Sequence, residues 1–237
     1  MARRGIGRPR SRASVSGLST EEDILLASAT LFCEVGYGST STYAIAEAAG
    51  TSQATMYHYF AGKHSILLAL LLRTVQPSTV VATALLGRDE PAEVRLWALC
   101  AFDVRLLASG EQNTGSLYLL PELSDERFAQ FHAERQRLAD VYAALVAGVA
   151  GQEQDRGEQD SGEQDSREQD SADDSWLVFG LVESVILRRR TGGCEPDAAT
   201  RIADAALRVV GVAEERIAAV RSEAEELLRA LEDVTQM

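Results

Sequence analysis

Residues 41–60, STYAIAEAAGTSQATMYHYF, leave the backbone few choices: two short helical patterns are separated by a single glycine. Ser41 or Thr42 can N-cap a helix running to Ala49, with Ile45, Ala46 and Ala49 as its buried face. Gly50 tolerates positive φ and so can end that helix in a sharp turn. Ser52 caps the next helix, Gln53 to Tyr59. Two short helices joined by a Gly-containing turn have the geometry of a helix-turn-helix, whose second helix lies in the major groove of a DNA duplex. The side chains expected outward on that second helix are Gln53, Thr55, Tyr57 and His58. Gln can pair with adenine N6 and N7, and Thr can offer a methyl to thymine or a hydroxyl to any base. Met56, Tyr59 and Phe60 fall on the other face and are expected in the core.

The remainder of the chain also reads as helix, and the fold class expected is all-α. No sustained alternation of apolar and polar residues and no Asn-Gly or Asp-Gly hairpin signals a strand. Segment 20–35 places Ile24, Leu25, Leu31, Phe32 and Val35 on one stripe, with Ser19 and Glu22 in a capping-box pattern and Gly36 as a stop. Further helices are expected at about 63–75, 77–87, 91–108, 122–149, 175–190, 196–211 and 214–234. Pro77, Pro91, Pro121 and Pro196 stand near four of these starts, where a missing N–H costs least. Residues 151–170 repeat a pentapeptide, GQEQD RGEQD SGEQD SREQD, and residues 151–175 hold ten acids against two arginines. Segment 151–174 is therefore expected to be a solvated, disordered linker.

Charge separates the two ends. The net charge is −13, which taken alone disfavours nucleic acid. Yet residues 1–20 carry Arg3, Arg4, Arg8, Arg10 and Arg12 and no acid, and residues 1–75 carry seven basic and five acidic groups. A polyanion is drawn to one end and repelled by the rest. Gly7-Arg8-Pro9-Arg10 resembles a minor-groove AT-hook, the blander alternative being a frayed cationic tail. The longest strictly apolar runs, Ile66 to Leu72 among them, have seven residues, against about 20 for a bilayer span, so no membrane partner is expected. Three cysteines, Cys33, Cys100 and Cys194, are too few and too scattered for a disulfide framework or a zinc site, which suits a reduced cytoplasm.

The run AIAEAAGTSQATMYHYFAGKHSILLAL resembles the DNA-binding signature of the tetracycline-repressor (TetR) family of bacterial transcription regulators, over residues 18–78. The spacing of Phe32, Gly36, Tyr37, Thr40, Ile45, Ala46, Gly50, Tyr57, Tyr59, Phe60 and Lys63 carries it. The resemblance implies a basic arm at 1–17, a three-helix DNA-binding domain at 18–78 with the helix-turn-helix at 41–60, and a helical ligand-binding and dimerisation domain at 79–237. It implies DNA contacts from Ser41, Thr42, Tyr43, Ser52, Gln53, Ala54, Thr55, Tyr57 and His58. It places Lys63, at the start of the fourth helix, on a phosphate. Three departures from the family pattern (Thr51, Ala44 and the Gly62-Lys63-His64 start) bear on local stability rather than on contacts.

The same resemblance implies a homodimer through helices at about 175–190 and 196–211, a palindromic double-stranded operator, and release by a small-molecule effector. The apolar surface of Trp176, Leu177, Phe179, Leu181, Val182, Val185 and Ile186 is wider than one core stripe needs. An effector pocket would draw on Trp97, Phe102, Tyr118, Phe128, Phe131, His132, Tyr142, Trp176 and Phe179. His132 has no partner at metal spacing, and no cofactor or metal is expected. An enzyme is the weaker reading, since no phosphate-binding glycine loop, nucleophile elbow or metal set is present. An architectural DNA-coating protein is disfavoured by the overall charge.

Overall fold

The computed structural model describes residues 17–154 and 164–235. All regular structure among the described residues is helical. The chain divides into two compact units, residues 1–70 and 71–237, so the division falls between Leu70 and Leu71 rather than after residue 78. All of the expected basic arm except Gly17 lies outside the described residues.

The first unit holds α1 (Thr20–Leu31), α2 (Thr42–Ala48), α3 (Gln53–Tyr59) and the start of α4 (Lys63–Leu86). Ser19 caps α1 by accepting from the Glu22 N–H at 3.2 Å. Beyond Leu31 the helix widens into a π turn, Phe32–Gly36. The extra residue in that turn shifts the helical register, so Val35 is 56% exposed instead of lying on the inward stripe. Phe32 and Tyr37 take the buried places, their rings edge to face at 5.1 Å. Leu31 is half-buried, and Gly36 closes the turn at φ +98°.

The second unit holds the rest of α4, then α5 (Ala92–Ala108), α6 (Ala129–Gln154), α7 (Gln164–Thr191), α8 (Ala198–Val209) and α9 (Glu214–Thr235). Pro77, expected to open a new helix, instead lies inside α4. A proline in a helix interior costs about 3 kcal/mol. Leu71, Val75, Ser78, Ala82 and Leu85 are buried on both sides of it at helical spacing, so packing overrides the break. By length and mean hydropathy, 1.5, α4 could cross a bilayer, which the count of strictly apolar residues does not reveal. Its buried residues nevertheless form a one-sided stripe.

The helix expected from 122 begins at Ala129. Three 3₁₀ turns precede it, at Thr114–Leu119, Pro121–Ser124 and Glu126–Phe128. Asp125 caps the last by accepting from the Arg127 N–H at 2.9 Å. The expected linker is likewise shorter: α6 runs to Gln154 and α7 starts at Gln164, while residues 155–163 lie outside the described residues. Gln and Glu are good helix formers, and helices anchored by apolar turns further along propagate into such sequence.

Helix α5 is the centre of the second unit and packs on α6, α7, α8 and α9. Val94, Leu96, Trp97, Leu99, Cys100 and Val104 are all buried. Polar links pin the shell to it. The Trp97 indole donates to Asp204 Oδ1 at 2.8 Å, and Arg221 from α9 donates to the same carboxylate. Arg105 pairs with Glu225. On the side of α7, the Arg189 guanidinium donates to the carbonyls of Leu107 (2.9 Å), Ser109 (3.1 Å) and Gly110 (2.7 Å), satisfying the end of α5. Helix α9 buries Ile217, Val220, Ala224, Leu227 and Leu228, which recur at helical spacing.

Candidate nucleic-acid interface

The turn between α2 and α3 closes by backbone hydrogen bonds alone. Gly50, at φ +64°, donates its N–H to Glu47 O at 3.0 Å, and the Thr51 N–H reaches back to Ala46 O at 2.9 Å. This crossed pair is a Schellman motif, which needs a residue that tolerates the left-handed conformation. Thr51 therefore does not open the turn. Ser41 accepts from the Ala44 N–H at 3.1 Å and Ser52 from the Thr55 N–H at 3.0 Å, so both serines act as N-caps.

Below the turn, Ile45, Ala46, Ala49, Met56 and Phe60 are buried. Tyr59, expected among them, is 45% exposed. The chain leaves α3 at Phe60 in an extended conformation (φ −131°, ψ 127°), and that ring turns inward instead. Tyr59 packs edge-on to His58, ring centroids 5.4 Å apart.

Above the turn, Gln53, Ala54, Tyr57 and His58 form one exposed face of α3, flanked by exposed Ser41, Tyr43 and Ser52 and by half-buried Thr42 and Thr55. The hydroxyls of Ser52 and Thr55 bond each other at 2.8 Å. The Gln53 amide donates to Thr42 Oγ1 at 3.0 Å, and Thr42 Oγ1 and the Tyr57 hydroxyl lie 3.3 Å apart. A seven-residue helix of this width fits a major groove with its exposed edge toward the bases.

Lys63 behaves differently from the expectation. Its ammonium donates to Tyr37 O at 2.6 Å, Thr40 O at 3.0 Å and Gly38 O at 3.4 Å, and lies 4.3 Å from the Tyr37 ring centroid. Three carbonyls engage its three donors. It holds the loop before α2 in place, and no donor is left over for a phosphate in this arrangement.

In the second unit the nine expected pocket residues scatter. Trp97 is buried against Asp204, and Trp176 is 75% exposed. His132 is exposed, with Nε2 2.7 Å from Leu123 O. Phe102 is half-buried and Phe128 buried. Tyr118, Phe131 and Phe179 do meet, around the guanidinium of Arg135, at 4.7, 5.9 and 5.4 Å from the ring centroids. Arg135 also pairs with Glu183 at 2.7 Å. Tyr142, with its ring centroid 5.4 Å from that of Phe179, donates to the buried Asp103 Oδ2 at 2.8 Å, while Asp103 Oδ1 has no hydrogen-bond partner among the described residues. Burial pushes the Asp103 carboxyl up to about 7 and the Tyr118 phenol, which meets Thr74 at 2.6 Å, up to about 12. Sequence reasoning missed Asp103, Arg135 and Glu183. A lone acid inside the apolar run LWALCAFDVRLL was the available signal for Asp103. A separate groove of about 430 Å³ between α7 and α8 is lined by Val185, Leu187, Arg188, Cys194 and Ile202, among others, and by none of the nine.

A capped helix pair with a buried underside and an exposed polar α3 defines a helix-turn-helix DNA-binding protein. Residues 24–70 match the family model described as bacterial regulatory proteins, tetR family. The crystal structure of Mycobacterium smegmatis AmtR is 38% identical, with a TM-score of 0.78 over 93% of this chain and 98% of that one. A tetR-family regulatory protein from Rhodococcus RHA1 is 23% identical, TM-score 0.67, over 83% of this chain and 100% of that one. AibR, solved with isovaleryl coenzyme A and operator DNA, is 21% identical, TM-score 0.59, over 81% and 97%. Curated protein sequences give no match. The chain belongs to the TetR family of bacterial transcriptional regulators and is a DNA-binding regulator.

Proposed function

We propose that this regulator binds a palindromic operator as a homodimer, in the cytoplasm, as a repressor released by a small-molecule effector, and that it is not an enzyme. The observation that carries the reading is the exposed polar edge of α3, Gln53, Tyr57 and His58, standing on the buried Met56 and Phe60. Tyr43, 64% exposed beside it, supplies a hydroxyl for the DNA backbone. Lys63 is turned inward and the five arginines of residues 1–12 supply the cationic pull, so we assign the phosphate attraction to that arm.

The dimer reading is supported by α7. Val178, Val182, Val185 and Ile186 are buried in the unit, yet Trp176, Leu177 and Leu187 remain 75%, 45% and 57% exposed on the same helix. Apolar side chains so placed suit a second copy. The effector reading is supported by the cluster of Asp103, Tyr142, Tyr118 and Arg135, a polar set inside an otherwise apolar core. The distant relative AibR was solved with isovaleryl coenzyme A, which is a reasonable first probe. An effector that prefers one arrangement of the two DNA-reading heads shifts the population off the operator.

Footprinting on the DNA beside its own gene tests this. The expected result is a two-fold symmetric protected site with half-site centres about 34–36 Å apart or a multiple of that, with protection weakened by an effector. An absence of protection, or a patternless one along random sequence, contradicts it.

A further inference from the structure

The hydroxyl of Thr42 has no task within its own helix. Ser41 already caps α2 through the Ala44 N–H, and Thr42 is the first helical residue. Its oxygen instead crosses to α3, accepting from Gln53 Nε2 at 3.0 Å and lying 3.3 Å from the Tyr57 hydroxyl. A threonine is stiff at χ1, so it offers a fixed anchor to a glutamine that is otherwise mobile.

We propose that Thr42 is a positioning residue for specificity: by engaging one N–H of Gln53 it fixes that amide to offer one donor and one acceptor, which selects adenine over guanine. The inference rests on the reading of α3 as the base-contacting helix. Adenine presents N7 as acceptor and N6–H as donor in the major groove, whereas guanine presents two acceptors, N7 and O6. Gln53 with one N–H held by Thr42 retains one N–H and its carbonyl oxygen, which match adenine. Reading guanine through both N–H groups would require breaking the bond to Thr42. The Thr42 hydroxyl can in turn donate to the Tyr57 oxygen, leaving the Tyr57 hydrogen for the DNA, so the three side chains act as one polarised chain.

The full chain is first used to select duplexes from a randomised pool. Binding is then measured by fluorescence anisotropy for all four base pairs at each position of one half-site. Gln53→Ala is expected to abolish an adenine preference at one position. Thr42→Val, which keeps the shape and removes the hydroxyl, is expected to narrow the adenine-to-guanine ratio at that same position by about three- to tenfold. Thr42→Ser should restore the ratio. If Thr42→Val does not fold, Thr42→Ala is measured in its place. A uniform loss of affinity for every duplex would mean that Thr42 only touches the backbone, and the proposal fails. It fails equally if the ratio is unchanged in Thr42→Val, or if the position read by Gln53 prefers another base. If Gln53→Ala alters no position, the reading of α3 itself falls, and this inference with it.

Discussion

Two single residues show how a side chain's type can be plain in a sequence while its task is not. Lys63 opens α4, where a cation facing a phosphate is the natural expectation. Its partners are carbonyls 23 to 26 positions earlier, a meeting that only tertiary structure creates. Lys63→Met, which keeps the apolar stem, is expected to cost about 1–3 kcal/mol of local stability. Hydrogen exchange should show faster opening of amides 37–49, and binding to specific and random duplexes should weaken alike. A loss of binding with unchanged exchange would restore the phosphate role. Asp103 is the converse case, an acid where the pattern calls for an apolar residue. Its folded pKa of about 7 lies above the ordinary 3.8, so the folded state binds the extra proton. Its contribution to stability is greatest below pH 4, falls as pH rises toward 7, and is constant above. Asp103→Asn removes this slope. Urea unfolding should show the wild type losing roughly 2–3 kcal/mol relative to the variant between pH 5 and 8. Parallel pH curves would refute the shift.

At the scale of elements, the local signals were readable and the negotiated ones were not. Ser19, Ser41 and Ser52 cap as their spacing predicts, and Gly50 makes the turn its conformational freedom suggests. Each of these is decided within five residues. The π turn after α1, the helix running through Pro77 and the 3₁₀ segment before α6 are set by packing with distant residues, which periodicity does not record. Gly115 is another such case. A Cβ there would lie 2.8 Å from Ile186 Cγ1 and 2.9 Å from Cδ1, while Asn113 donates to Ile186 O at 2.9 Å. The 3₁₀ segment and α7 thus meet where only a hydrogen fits. Gly115→Ala should destabilise the protein by about 1–3 kcal/mol, measured as a lower urea midpoint, and Ile186→Val in the same chain should recover part of the loss. No change in midpoint would show that Ile186 moves aside freely.

For the whole molecule, the charge division is visible in the sequence, with a slightly basic first third and a strongly acidic remainder. So are the all-helical class and the exposed face of α3. Which aromatic residues would meet an effector is not, because aromatic side chains in a helical core look alike whether they fill space or meet a ligand. Tyr118, Phe131 and Phe179 are gathered by Arg135, whereas Trp97 and Phe128 are buried elsewhere and Trp176 stands in solvent. That exposure carries a prediction at this scale. Trp176→Ser combined with Leu187→Ser should convert a sedimenting dimer to a monomer while leaving helix content unchanged. A dimer that persists would place the subunit contact on another surface.

The edge of α3 is proposed to read base sequence. The direct measurement compares binding of the full chain to the duplex beside its own gene with binding to a scrambled duplex of equal composition, at about 0.15 M salt. A preference of at least about a thousandfold is expected, reduced to near unity when Gln53→Ala and Tyr57→Phe are combined. Equal affinity for the two duplexes, or a preference that survives both substitutions, would contradict it.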